Sequence, residues 1–186
     1  YEEELSSKYE KLREAYNGFG VVRRQMDYVF DLLQQASEST DTHFLYDFVV
    51  SSAVMLTRAD ACVFRVYDDE KQHLEMVSSL GVPREWLGKR FVKFSGSLVE
   101  EAYNEKTVLK IVDVGHESKY QSVYLAKKAG FSAMLLIPLY FRGKVLGSLS
   151  LYLKSDQKLH LFDNAFIERY SRLVSMILAM PPNEDA

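Results

Sequence analysis

The feature that most constrains this chain is a pair of apolar runs between Ser132 and Leu153, which flank the dipeptide Arg142-Gly143. Glycine adopts positive φ without strain, so the dipeptide predicts a tight turn and the two runs predict a β-hairpin. Both runs are apolar at nearly every position, which indicates strands that are covered on both faces. We therefore expect the hairpin to form the centre of a sheet, and the rest of the chain to supply its two covers.

Two residues of the hairpin restrict what lies beside it. Pro138 has no N–H to donate to a strand ladder, so its nitrogen should face a bulge or an unpaired edge. Gly147 has no side chain, which indicates that a neighbouring strand approaches closely at that position. Both residues therefore predict features of the sheet outside the hairpin itself.

Composition narrows the class of protein. Of 186 residues, 47% are hydrophobic and 26% are charged, which is typical of a globular domain and argues against disorder. The net charge of −3 gives no electrostatic basis for nucleic-acid binding. A single cysteine and the lack of an apolar run of roughly 18 residues predict a cytoplasmic protein without a membrane span. Because Tyr1 already lies in a helical pattern, we expect a segment of a longer protein.

A seven-residue repeat of apolar residues runs through residues 1–36. The pattern predicts a helix that pairs with a second copy as in a coiled coil, or one that lies on its own domain. Gly18 and Gly20 interrupt it, and each costs about 1 kcal/mol relative to alanine within a helix. The register continues through them, so we expect one kinked or locally flexible helix. The repeat consists of Leu5, Leu12, Phe19, Met26 and Leu33, with Tyr9, Tyr16 and Phe30 at companion positions.

Residues 42–180 predict an α+β domain, followed by a tail at 181–186. A mainly antiparallel sheet is expected between long helices on one face and short helices on the other. The short helices belong to residues 81–131, between the second strand and the hairpin, which we call the excursion. The predicted elements are a helix that Asp41 or Thr42 caps and that ends near Arg58, strands at 61–67, 73–79, 91–94 and 107–112, a short helix from Ser95 or Ser97 to about Asn104, loop and helix at 115–129, the hairpin, a turn at 156–160, and a last helix at 161–180.

Several short motifs lie along the predicted domain: Ala59-Asp60-Ala61-Cys62, Ser95-Gly96-Ser97-Leu98-Val99, the run from Thr107 to Val114, and Ile137-Pro138-Leu139 with the segment Arg142–Gly147. Together they resemble the GAF domain family over Thr42–Met180. PAS domains share a similar, profilin-like architecture. The helix that precedes the domain resembles the signalling helices that join GAF domains to neighbouring modules.

The resemblance implies a sensory regulatory module of a larger signal-transduction protein. Such a module binds a small ligand on the excursion side of the sheet, and it forms a homodimer through its helices, here Tyr1–Gln35 and Leu161–Met180. The alternative is a dimerisation module that binds no ligand. The resemblance identifies neither the ligand nor the output domain.

Arg65 is the charged residue that bears most directly on a ligand site. Strand alternation places it on the face opposite Cys62, Phe64 and Val66. If that face lines a cavity, Arg65 would pair with a carboxylate or a phosphate. The alternative is an edge-strand arginine that reaches water or pairs with an acidic neighbour, either Asp68 or Glu75.

The other candidate ligand-binding residues lie mainly in the excursion. Ser97 belongs to a helix start that offers free amides to an anion, although the same motif serves as an ordinary N-cap. The aromatic residues would form the wall of a small-molecule pocket, or would pack the excursion onto the sheet. The full set beside Arg65 is Tyr67, Phe94, Ser97, Tyr120, Tyr124, Met134 and Leu136.

The sequence shows no catalytic arrangement, and we expect no enzymatic activity. Cys62 is expected to be buried and structural; the GAF-family reductases of free methionine sulfoxide use several cysteines, and bilin-binding relatives use a later cysteine that this chain lacks. His116 lies where haem-binding relatives supply an axial ligand, but one histidine does not predict haem. Asp113, His116 and Glu117 fit a solvated loop better than a metal site. The sequence identifies no cofactor.

Overall fold

The computed structural model describes residues 2–38 and 41–180, which belong to two compact units, Tyr1–Glu38 and Ser39–Ala186. In the first unit the described residues form one helix, α1 (Glu2–Glu38), which is continuous through Gly18 and Gly20. The prediction of one helix rather than two is therefore confirmed. Tyr1 and the predicted tail at 181–186 lie outside the described residues.

The second unit is an α+β domain built on one six-stranded antiparallel sheet, as predicted. The strands lie in the order β3-β2-β1-β6-β5-β4. Short 3-10 helices occupy Arg84–Lys89 and Asp156–Leu161. The main elements are α2 (Thr42–Thr57), β1 (Ala61–Asp68), β2 (His73–Leu80), β3 (Phe91–Lys93), α3 (Leu98–Glu105), β4 (Leu109–Ile111), α4 (Val123–Ala129), β5 (Ala133–Phe141), β6 (Lys144–Leu153) and α5 (Asn164–Ala179).

The predicted hairpin is formed by β5 and β6. Arg142 and Gly143 both have positive φ, 48° and 77°, which is the backbone of the two-residue turn that suits twisted strands. The hairpin is not itself the centre of the sheet, because β6 pairs with β1 on its other edge. The two central strands are therefore β1 and β6, which are distant in sequence.

The constraints predicted from Pro138 and Gly147 are both visible. β4 begins at Leu109, opposite Leu136, so the ladder on the outer side of β5 does not extend to Pro138, and a register shift follows one residue later. At Gly147, a Cβ would run into the carbonyl oxygen of Arg65 and lie 3.1 Å from Cα of Val66. Glycine is therefore the residue that allows β6 to approach β1 at this point.

The two faces of the sheet have different covers. On one face lie α2 and α5, which are joined by a 2.6 Å hydrogen bond between Ser52 Oγ and the Tyr170 hydroxyl. Phe64 of β1 meets Tyr46 of α2 on this face, with ring centroids 5.2 Å apart. The excursion covers the other face, where a core cluster combines Ala61 and Val63 of β1 with apolar residues of α3 and α4.

Helix termini follow local capping signals, with one correction. Asp41, one of the two residues expected to cap α2, is its N-cap and accepts from the N–H of His43 at 2.9 Å. The last helix begins at Asn164 and not at Leu161, because Asp163 acts as its N-cap and the preceding residues form a 3-10 helix. The apolar stripe that the sequence predicts for this helix is Phe162, Phe166, Tyr170, Leu173 and Ile177. Only Tyr170 and Ile177 of that stripe are buried, whereas the other three are half-buried. The buried set is Ile167, Tyr170, Ser171, Val174, Ser175 and Ile177.

Candidate functional site

A cavity of about 40 Å³ lies between the sheet and the excursion. The two central strands supply the polar part of its floor, and β5 supplies apolar side chains. Its roof consists of the start of α3 and residues 119–122 of the loop that precedes α4. The floor residues on β1, β5 and β6 are Arg65, Met134, Leu136, Ser148, Ser150 and Tyr152.

Arg65 is the charged residue of the cavity floor. Its side chain is buried, with 5% of the residue exposed, and its Nε and Nη2 atoms have no hydrogen-bond partner among the described residues. The acidic neighbours have other partners, since Asp68 pairs with Lys71 at 3.5 Å and Glu75 pairs with Arg90 at 2.6 Å. Arg65 is therefore paired with neither Asp68 nor Glu75, and its side chain is buried.

Two tyrosines close one end of the cavity. The hydroxyl groups of Tyr120 in the roof and Tyr152 in the floor are 2.8 Å apart and share a hydrogen bond. Burial raises the pKa of both side chains, although the positive charge of Arg65 opposes part of that rise. Both hydroxyls are therefore protonated at neutral pH, and neither supplies a negative charge to Arg65.

The N-terminus of α3 is engaged by its own helix. The hydroxyl of Ser97 accepts from the N–H of Glu100 at 3.2 Å, which is ordinary N-capping. The Glu100 carboxylate in turn accepts from the N–H of Gly96 at 2.5 Å. The Glu100 carboxylate therefore occupies one of the backbone amides at the start of α3 that were expected to be free for an external anion. Ser97 itself does line the cavity.

The structure brings most of the candidate residues to one place, but not all. Arg65, Ser97, Tyr120, Met134 and Leu136 line the cavity. Tyr67 and Phe94 pack on each other, with ring centroids 4.8 Å apart, and lie against the core beside the cavity lining. Tyr124 is 74% exposed and lies outside it.

Sequence reasoning missed three floor residues of β6. Ser148, Ser150 and Tyr152 alternate along the strand and therefore share one face. Ser148 is 1% exposed, and its Oγ has no hydrogen-bond partner within the described part of the chain. A polar residue at every second position of an otherwise apolar strand was the available signal.

The sequence profile of the GAF domain family matches residues 39–179. The chain belongs to the GAF domain family. A search of curated proteins found no match. The described residues contain no helix with both the length and the apolar character that crossing a membrane requires.

Solved GAF domains share this fold. The GAF domain of a phosphoenolpyruvate-protein phosphotransferase from Acinetobacter is 20% identical, with a TM-score of 0.66 over 84% of this chain and 93% of that one. A methyl-accepting chemotaxis protein segment is 14% identical, with a TM-score of 0.61 over 82% and 96%. A free methionine-R-sulfoxide reductase from Neisseria meningitidis, solved with its substrate, is 11% identical, with a TM-score of 0.64 over 83% and 87%. At these identities the similarity shows the fold, which occurs both in signalling proteins and in an enzyme.

The single thiol of this GAF domain lies away from the cavity. Cys62 is buried, and alternation along β1 places it on the face that α2 and α5 cover. Burial in apolar surroundings raises its pKa well above the ordinary value, so the thiol is protonated at neutral pH. The sheet separates Cys62 from any molecule in the cavity.

His116 lies on the surface of the excursion. Its side chain is 85% exposed, and its Nδ1 is 2.6 Å from Asp113 Oδ2. The hydrogen bond to His116 contributes most to lowering the pKa of Asp113. Across residues 2–38 and 41–180, no group of three or more His, Cys, Asp and Glu side chains is arranged to hold a metal ion.

Proposed function

We propose that this GAF domain is a sensory regulatory module of a signalling protein. A small molecule binds in the cavity, and its binding alters the packing of the helices through which two copies of the chain pair. The observation that carries this proposal is the position of a buried guanidinium in the cavity floor, with two nitrogens that lack a hydrogen-bond partner, on a central strand whose opposite face contacts the helices. A ligand at Arg65 therefore acts on the strand that α2 packs against.

Consecutive residues of β1 connect the two faces of the sheet. Arg65 points into the cavity, whereas Phe64 contacts Tyr46 of α2. The β1–β2 register shifts between these two residues, which marks a local irregularity in the strand. Gly147 packs on the Arg65 backbone from β6, so a movement of Arg65 also affects the other central strand.

A second copy of the chain supplies the proposed partner for the apolar seam of α1. Seven members of the heptad pattern are at least half exposed, which is costly for an isolated helix in water. Their spacing is that of a coiled coil, in which an identical helix buries the same residues. These residues are Leu5, Tyr9, Leu12, Tyr16, Phe19, Met26 and Phe30.

We also propose that the module has no catalytic activity of its own. The reductase relative acts on free methionine sulfoxide, and in this chain the only thiol is protonated and lies behind the sheet. Incubation with methionine sulfoxide and a thiol reductant should give no turnover above the protein-free rate. Turnover that disappears in Cys62→Ser would contradict this part of the proposal.

A metabolite screen followed by hydrogen exchange tests the sensory role. A panel of small anions, neutral compounds, amines and nucleotides is scored by the melting temperature of the full chain. We expect at least one class to stabilise the protein and to change amide exchange in α2 or α5. Ser150→Leu, which fills the cavity floor, should lose this response, whereas Ser51→Leu on the exposed side of α2 should keep it.

The alternative, a dimerisation module without a ligand, makes the opposite prediction. In that case no class of compound raises the melting temperature, although the chain still forms a dimer. If a ligand binds without changing amide exchange in α2 or α5, the binding site is supported but the proposed effect of binding on helix packing is wrong.

A further inference from the structure

Three unpartnered polar atoms meet in one cavity. Among the described residues, the buried side-chain atoms that lack a hydrogen-bond partner are Arg65 Nε and Nη2, Ser148 Oγ, His73 Nε2 and Trp86 Nε1. The first three belong to residues that face each other across β1 and β6 and that both line the cavity. Buried polar atoms are normally paired, because an unpaired one bears the full cost of its desolvation. The group therefore indicates a ligand that accepts from all three.

The free edge of Arg65 has a specific shape. Nε and Nη2 carry two N–H bonds that point in the same direction along one side of the planar guanidinium. Such a pair matches the two oxygens of a carboxylate, which it binds side-on through parallel hydrogen bonds. Ser148 lies directly opposite in the strand register, where Cβ atoms are about 5 Å apart, so its hydroxyl reaches one of the same oxygens.

The charges around the cavity leave one positive charge uncompensated. None of the ion pairs found among residues 2–38 and 41–180 involves Arg65. Lys119, the other cation of the lining, is bound to Glu101 at 2.7 Å. Tyr120 and Tyr152 remain neutral, because burial raises the pKa of both hydroxyl groups. A ligand with a single negative charge balances the site.

The volume and the walls of the cavity limit the rest of the ligand. About 40 Å³ corresponds to roughly three to four water-sized positions, which excludes a nucleotide. The lining also has apolar side chains, those of Leu74, Leu98 and Met134. A short aliphatic chain packs against them, whereas a second negatively charged group meets no unpaired cation among the described residues around the cavity, because Lys119 of the roof is bound to Glu101.

From these observations we infer that the cavity binds a small aliphatic monocarboxylate, whose carboxylate group pairs with the Nε–Nη2 edge of Arg65 and with the hydroxyl of Ser148. The inference rests on the proposed sensory function, because it names the ligand class of the same cavity. The roof residues Ser97 and Tyr120 enclose the bound molecule.

Titration of the full chain with matched probes tests the inference. The probes are acetate, propionate and butyrate, with propionamide, succinate and inorganic phosphate for comparison. Propionate should raise the melting temperature and bind in calorimetry, while propionamide, which lacks the charge, should bind at least about 30-fold more weakly. Succinate should also bind more weakly, because the one other cation of the described lining, Lys119, is already bound to Glu101.

Two arginine variants test whether binding depends on the arginine in the cavity or only on the net positive charge of the protein. Arg65→Met should weaken propionate binding at least about 30-fold, because it removes both donors of the guanidinium edge. Arg90→Met, which removes a surface cation that pairs with Glu75, should leave binding unchanged. Ser148→Ala, with Arg65 intact, should weaken binding by about 5-fold through the loss of one hydrogen bond.

The unliganded variant distinguishes a binding arginine from a structural one. Arg65→Met replaces a buried, unpaired charge with an apolar side chain of similar length, so its melting temperature without ligand should equal or exceed that of the wild type. A structural role for Arg65 predicts a lower melting temperature instead. A folded Arg65→Met that binds propionate like the wild type would overturn the inference.

The remaining outcomes separate this inference from the proposed function. Tighter binding of phosphate, or of a neutral compound, would overturn the monocarboxylate assignment and leave the sensory role intact. Failure of all three monocarboxylates at millimolar concentration would likewise overturn it. If no compound of any class binds, both the inference and the ligand-binding half of the proposed function are wrong.

Discussion

Arg65 of β1 lies directly opposite Ser148 of β6, and both present unpartnered buried polar atoms to one cavity. The two residues are far apart in sequence and meet because β1 and β6 are the central pair of the sheet. Their strands also contact the helices on the other face. This pair of residues therefore connects the expected ligand site with the packing of the central strands against α2 and α5.

The close approach of β6 to β1 depends on Gly147. Gly147→Ala places a methyl group against the carbonyl oxygen of Arg65, so the strands must separate. We expect a loss of about 2–3 kcal/mol in the free energy of unfolding, measured by urea denaturation. Gly88→Ala is the control, since a Cβ there meets nothing within 4 Å, and it should change stability by less than about 0.5 kcal/mol. Equal stability of the two variants would contradict the close approach.

The hydrogen bond between α2 and α5 contributes to stability. Tyr170→Phe removes a buried hydroxyl that lies 2.6 Å from Ser52 Oγ and 3.2 Å from the Val49 carbonyl oxygen. Its loss should reduce the free energy of unfolding by about 1–2 kcal/mol. Tyr124→Phe removes an exposed hydroxyl and should have almost no effect. If both variants unfold at the same denaturant concentration, the hydrogen bond between the helices makes no net contribution to the free energy of unfolding.

Burial of Cys62 predicts a pH dependence of stability. Folding raises the pKa of the thiol above its ordinary value of 9.0, so the unfolded chain loses this proton at a lower pH than the folded chain. The buried thiol therefore contributes fully to the free energy of unfolding below pH 9. Above pH 9 this contribution decreases by about 1.4 kcal/mol for each pH unit. Cys62→Ala should lack this part of the decrease when chemical denaturation is compared from pH 8 to 10.5.

Tyrosines titrate in both proteins, so the quantity to compare is the difference in the free energy of unfolding between wild type and Cys62→Ala at each pH. A difference that stays constant across this pH range would contradict the burial of the thiol.

The exposed seam of α1 predicts self-association. Leu12→Glu places a charge at the centre of the proposed coiled coil, and it should shift the chain from dimer to monomer in light scattering at micromolar concentration. Ser7→Glu adds the same charge at a heptad position away from the seam, and it should leave the dimer intact. Identical masses for the two variants would show that the seam does not pair two copies.

Local signals in the sequence predicted much of this fold. Arg142-Gly143 identified the hairpin, Asp41 identified the start of α2, and Gly147 identified a close approach, because each depends on the chemistry of one or two residues. Asp163 carries an equally local signal for the start of α5, whereas the longer apolar pattern from Leu161 predicts a start three residues too early.

The site was harder to predict than the fold, because it depends on which strands become neighbours. Alternation indicated that Arg65 faces away from Phe64, but no local pattern shows that β1 pairs with β6 or that Ser148 lies opposite Arg65. Nor could the sequence decide whether Asp68 and Glu75 would neutralise Arg65. That answer depends on Lys71 and Arg90, which pair with them in the folded domain.

The most direct measurement of the central claim is the NMR signal of the Arg65 Nε–H group during titration with propionate. If the carboxylate pairs with this edge, the proton should move downfield and exchange more slowly with water, while the Arg90 signal stays unchanged. The same titration with propionamide should have no such effect. An Arg65 signal that does not respond to propionate, or one that responds equally to the amide, would contradict a ligand-binding arginine in this cavity.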